Sequence, residues 1–383
     1  MGDASGRPDA RGHLPALDGL RGIAILLVIL HHAALPSADL SHPVAGELLH
    51  LGFAGVDLFF VLSGFLITGI LIDGRGGEGY YRVFYGRRLL RIAPAYYLFL
   101  AVTWLILPLL TADPSFAPPP EVRADGGVHA VYGSNILFAV SGDPRWRPAC
   151  HLWSLAIEEQ FYLLWPLLVA ALSPRALARL CAGMIAAALA VRLALVLAEA
   201  PHWTVYSLTP ARWDGLAMGA LLALGWRGLP GGVLVQFHRI AIGLGLAGLY
   251  AVFLVDGGLG KAGDAMEIWG YSALAFLFAG ILIAALRATP DSRLHRVLTW
   301  RWLRAIGAVS YAMYLWQMLT RYAFRVFVMD WLEPQAGFWL TQAASVAFVL
   351  ATTFALAWLS WYLVEARFLR LKRHFPYAAA AQR

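Results

Sequence analysis

Ten long apolar runs govern what this chain can fold into. They lie at about 15–36, 50–72, 88–110, 152–172, 176–199, 212–226, 238–256, 266–287, 303–324 and 338–363. Most approach the roughly 20 residues that a helix needs to cross a bilayer; the sixth is short. Of the 383 residues, 60% are hydrophobic and only 14% are charged, against roughly 25% charged in soluble domains. The expected fold class is therefore an all-α integral membrane protein of about ten transmembrane helices. The first run carries ionisable residues and is longer than a signal-peptide core, so it reads as a retained span.

Loop charge sets the expected orientation. With both termini cytoplasmic, Lys and Arg divide 21 to 6 in favour of the inner side, as the positive-inside rule requires. The net charge of +7 then reflects cytoplasmic loops and not nucleic-acid binding. Three parts are expected: a short cytoplasmic tail (1–14), one membrane domain (15–366) and a basic cytoplasmic tail (367–383). The longest external loop, about 111–150, contains "ADPSFAPPPEVRADGG", whose Pro and Gly content argues against regular structure. "VYGSNILFAV" (131–140) is too short to span and reads as re-entrant or interfacial. Cys150 and Cys181 fall toward opposite faces, so neither a disulfide nor a metal site is expected.

The polar residues inside the apolar runs carry the functional signal, because ionisable groups are costly in lipid. "LDGLRGIAILLVILHH" (17–32) holds Asp18, Arg21, His31 and His32. Arg21 and His32 are 11 residues apart, nearly three helical turns, so they share one face about 16 Å apart; His31 is turned away. Asp18 can pair with Arg21. "GVDLFFVLSGFLI" (55–67) brings Asp57 to a depth similar to that of His32. It can orient the imidazole, or it can be a first-turn carboxylate held by the helix dipole. Ser63 and Gly64 read as a small pair for close helix contact. "FYGRRLLRIAPAYY" (84–97) puts Arg87, Arg88 and Arg91 at the inner start of the third helix. Guanidiniums there suit either coenzyme phosphates or anionic lipid headgroups. "HLWSLAIEEQFYLLWP" (151–166) aligns His151, Ser154 and Glu158 on one face, with Glu159 rotated by one position. Arg212 and Asp214 open the sixth helix, and Tyr311, Tyr314 and Gln317 lie on the ninth.

These six stretches, in this order, resemble the acyltransferase-3 family of polytopic membrane acyltransferases. The resemblance implies transfer of an acyl group, commonly acetyl, from cytoplasmic acyl-CoA to a hydroxyl. The acceptor would be a surface polysaccharide or a glycosylated natural product such as a macrolide. The family's Arg-x10-His pattern falls on Arg21 and His32, its Arg-Arg-x-x-Arg on Arg87, Arg88 and Arg91, and its Glu pair on Glu158 and Glu159. The sequence departs from the family at Gln317, where His is frequent, and at Glu365-Ala366-Arg367, where Glu-x-Pro is frequent. An added esterase-like domain is not expected at this length.

On this reading His32 is the general base, oriented by Glu158 or Asp57. Arg21 contacts the coenzyme or a developing oxyanion. Arg87, Arg88 and Arg91 hold coenzyme A, and Ser154, Glu159, Arg212, Asp214 and Tyr314 contact substrate. Direct transfer and an acyl-histidine step are both open. No metal is expected; the partners are membrane lipid, acyl-CoA and a hydroxyl-bearing acceptor, in the inner (plasma) membrane. A transporter of a sugar, lipid or ion with the same polar lining is the alternative.

Overall fold

The computed structural model describes residues 14–34, 51–111 and 116–376. Most of the expected tail 1–14 and the end of the tail 367–383 lie outside the described residues. Every regular element among the described residues is helical. The long helices are α1 (Pro15–Ala33), α2 (Gly55–Gly74), α3 (Tyr80–Ala101), α4 (Leu152–Ala171), α5 (Pro174–Leu197), α6 (Trp213–Gly228), α7 (Gly231–Asp256), α8 (Tyr271–Arg287), α9 (Ser310–Phe324) and α10 (Asp330–Ser360).

Seven helical stretches in the described residues are long and apolar enough to cross a membrane. The chain is a multi-pass membrane protein. The difference from the ten expected runs has three sources. α4 is 20 residues long but carries Glu158 and Glu159. α6 has only 16 residues. The ninth and tenth runs merge into one stretch, Ser310–His374, of 65 residues. At 1.5 Å per residue that is about 98 Å, three times the hydrocarbon thickness, so it is not one straight crossing. Gly337, at φ 71°, breaks it.

The helices form an inner group and an outer group. α1 buries Leu17, Leu20, Ala24 and Val28, an i, i+3, i+7, i+11 stripe along one face. It packs on α2, on α9 and on the short helix Arg301–Ala308. α5 and α7 expose Leu193, Leu197, Ile240, Leu244, Tyr250 and Leu254, side chains suited to acyl chains as solvent.

α2 crosses α6 at backbone contact. A Cβ on Gly64 would stand 2.0 Å from the Leu216 carbonyl oxygen, and one on Gly219 would stand 2.1 Å from that of Val61. Small residues permit this approach and the dispersion contacts it brings. Gly219→Val is expected to prevent accumulation of folded protein in membranes, read by detergent-resistant gel filtration. A wild-type profile would show that the crossing tolerates separation.

The 111–150 region is more regular than its composition suggests. Short helices form at Pro120–Ala124, Gly126–Ala130 and Ser134–Ser141. They dock on the bundle: the Tyr96 and Tyr97 hydroxyls donate to the His129 and Ala130 carbonyls, at 2.7 and 3.0 Å. Asn135 donates to Ser207 and Thr209. Tertiary hydrogen bonds thus override the local Pro and Gly signal. Cys150 and Cys181 are both free thiols.

Candidate active site

α1 connects two cavities. The Arg21 end borders a cavity of about 130 Å³, also lined by Arg88, Arg91, Ser63, Ser154, Glu158, Glu159, Tyr162 and Tyr311. The His32 end borders a second, of about 180 Å³, also lined by His31, Arg147, Cys150, His151, Lys261 and Arg321. Among the described residues, Val56 and Tyr314 line both. The Tyr314 hydroxyl lies 2.6 Å from Ser154 Oγ and donates to the His151 carbonyl at 3.1 Å. One valine and one hydrogen-bonded phenol therefore belong to the partition.

In the second cavity, His32 Nδ1 is 2.8 Å from Gln317 Oε1. The contact ties the imidazole of α1 to the amide of α9, a group with both a donor and an acceptor to offer Nδ1. Arg321 Nε donates to the His32 carbonyl, which fixes the end of α1. The ring of His31 meets that of His32 edge-on at 5.2 Å. The imidazole is thus held at Nδ1 by a second group.

That second group is neither of the carboxylates considered from sequence. Glu158 accepts from Ser63 Oγ at 2.7 Å and faces the Arg21 cavity. α4 spans both cavities, so His151 falls on one side of the partition and Ser154 and Glu158 on the other. Asp57 accepts from Arg212 Nη2 at 2.6 Å. Gln317, one of the three polar residues singled out on the ninth run, is the side chain that contacts His32 Nδ1.

The arginine triplet divides as well. Arg88 and Arg91 line the first cavity. Arg87 donates to the Lys372 and Phe375 carbonyls, at 3.3 and 3.0 Å, and ties α3 to the chain's end. Positions 87 and 88 point about 100° apart on a helix, so the three side chains do not all face the first cavity. Arg88 lies over the Tyr162 ring at 5.0 Å. Arg91 has Glu365 at 3.8 Å and donates to the Ala308 carbonyl at 3.2 Å. Arg21 pairs with Asp18 at 3.5 Å, the spacing expected from sequence.

Arg212 and Asp214 belong to neither cavity lining. They are buried in a network that ties α2, α5, α6 and α8 together. Arg192 contacts Asp214 at 2.9 Å and donates to Ser272 Oγ at 2.7 Å, and Ser272 Oγ donates to Asp214 at 2.6 Å. The Arg212 guanidinium lies 3.9 Å from the Tyr271 ring centre. Sequence reasoning missed Arg192; the signal was there, a lone guanidinium inside "IAAALAVRLALVL" (185–197). It also treated Arg147, Lys261 and Arg321 as loop charges, although all three converge on the His32 cavity.

Two cavities thus lie along α1, one lined by Arg21, Arg88 and Arg91 and the other by His31 and His32. The family profile described as "Acyltransferase domain" matches residues 14–362, and the chain belongs to this acyltransferase-3 family. It is 31% identical over 330 residues to O-acetyltransferase OatA of Staphylococcus aureus (strain NCTC 8325 / PS 47), covering 79% of this chain and 50% of that protein. It is 32% identical over 388 residues to the putative peptidoglycan O-acetyltransferase YrhL of Bacillus subtilis (strain 168), covering 92% and 54%. A third relative is peptidoglycan O-acetyltransferase OatA of Listeria monocytogenes serovar 1/2a (strain ATCC BAA-679 / EGD-e), 29% identical over 322 residues, covering 80% and 49%. The chain spans about half the length of these relatives. No solved structure matches it significantly.

Proposed function

We propose that the protein is a membrane O-acetyltransferase that moves an acetyl group from acetyl-CoA to a hydroxyl of a carbohydrate-containing acceptor. Its location would be the plasma membrane, with both termini and the arginine cavity on the cytoplasmic side. The observation that carries this reading is the pair of cavities meeting at Tyr314 and Val56. Donor and acceptor can approach from opposite sides and meet at one partition.

The donor side is supported by Arg88, Arg91 and Arg21 in the first cavity. Guanidiniums give paired charge-assisted hydrogen bonds to phosphate oxygens. The thioester would reach the partition, and the acceptor hydroxyl would lie beside His32. The imidazole Nε2 takes the hydroxyl proton as the oxygen attacks the thioester carbonyl. The carbon–sulfur bond then breaks, and the proton passes from the imidazolium to the departing thiolate. Gln317 holds Nδ1 throughout. Glu158 and Glu159 lie on the donor side and would position the coenzyme arm or Arg88.

Purified protein incubated with labelled acetyl-CoA and a glycan acceptor is expected to move label to the glycan. Arg88→Ala is expected to raise KM for acetyl-CoA by roughly 10–100-fold, the equivalent of one charge-assisted hydrogen bond of about 1.5–3 kcal/mol. A transporter with this polar lining would neither bind nor consume acetyl-CoA, and that result would replace the enzymatic reading.

A further inference from the structure

We propose that the His32 cavity binds an acceptor carrying negative charge, a carboxylate- or phosphate-bearing sugar, through Arg147, Lys261 and Arg321. This inference rests on the acyl-transfer reading for the word acceptor, but its physical basis is separate.

The three cations line one cavity with His31 and His32, and no carboxylate among the described residues lines it. Four guanidiniums elsewhere in the bundle are neutralised. Arg192, Arg212, Arg227 and Arg91 each have a carboxylate oxygen within 4 Å, at 2.9, 2.6, 2.7 and 3.8 Å. Arg147, Lys261 and Arg321 have no such partner among the described residues. Burial lowers the Lys261 pKa below its ordinary value; of the nearby groups, Cys150 opposes this and Arg147 and Arg321 add to it. Converging cations in a partly enclosed space repel one another, and a bound anion removes that cost.

The walls also position the charge. Lys261 Nζ stands 5.3 Å from the Trp203 ring centre and 5.2 Å from that of Tyr206, both rings lining the same cavity. The two aromatic faces hold the ammonium at the cavity wall. The cations would hold the anionic substituent at the rim while a neighbouring hydroxyl reaches His32. A neutral sugar would leave them unpaired, so the cavity selects by charge.

The test uses a matched pair of glycans: an alternating N-acetylglucosamine–N-acetylmuramic acid tetramer, and the same tetramer with its lactyl carboxylates methyl-esterified. With acetyl-CoA as donor, kcat/KM for the charged tetramer is expected to exceed that for the ester at least tenfold. Lys261→Gln and Arg147→Gln are each expected to move that ratio toward one. Titration calorimetry without acetyl-CoA gives a readout independent of turnover, and the charged tetramer is expected to bind more tightly by a similar factor. Equal binding and equal kcat/KM for the pair would overturn the proposal. So would displacement of neither glycan but saturation of the cavity by phosphatidylglycerol, which would make the occupant a lipid headgroup. Preferential binding of the charged glycan with no transfer to either would count against acyl transfer and leave the anion site standing.

Discussion

His32→Ala is expected to lower the turnover of acetyl transfer by about 10²–10⁴-fold, the usual contribution of a positioned general base. His31→Ala is expected to cost less than tenfold. The two imidazoles are sequence neighbours in the same cavity, so bulk, burial and local charge change similarly in both variants. His32 Nδ1 lies 2.8 Å from Gln317 Oε1, a contact that holds its ring in one orientation. Gln317→Leu removes that restraint and is expected to give an intermediate loss in kcat, with KM for acetyl-CoA unchanged because the donor cavity is untouched. Steady-state rates with labelled acetyl-CoA read all three. Equal losses at positions 31 and 32 would remove His32 from the role of base.

Arg212→Leu is expected to destabilise the fold by about 3–5 kcal/mol, because it strands the Asp57 carboxylate in a buried site. Asp57 and Arg212 are 2% and 0% exposed, which leaves no route to water for the unpaired charge. Adding Asp57→Asn to Arg212→Leu is expected to restore much of the loss, since the orphaned group is then neutral. Thermal unfolding in detergent measures both variants. A full loss of activity with an unchanged melting temperature in Arg212→Leu would instead put the guanidinium at the substrate.

The sequence revealed the membrane class, the succession of helices and the interest of Arg21, His32, Arg88, Arg91 and the Glu158–Glu159 pair. Helical periodicity carries that information within one helix. It also anticipated the Asp18–Arg21 pair and the closeness allowed by Gly64. Relations between helices were less legible. Equal depth does not make residues on α1, α2 and α4 neighbours, because helices tilt and are offset along their axes. The packed bundle gives Glu158 to Ser63 and Asp57 to Arg212. Gln317 carries no charge to mark its contact with His32 from within an apolar run. Lys261 and Arg147 lie between the long helices, and hydrophobic periodicity says nothing of where such segments fold back.

The side chains of Val56 and Tyr314 stand in the wall between the two chambers. Displacing the Tyr314 phenol requires giving up two hydrogen bonds, each worth about 0.5–1.5 kcal/mol net. Rotamer changes of this size occur without any rocking of domains. Passage of a small chemical group through such a wall therefore needs no alternating exposure of one site to the two sides of the membrane, the motion that carriers depend on. On the proposed acyl-transfer reading, a rigid scaffold would let a fragment cross while both bulky molecules that exchange it remain on their own sides.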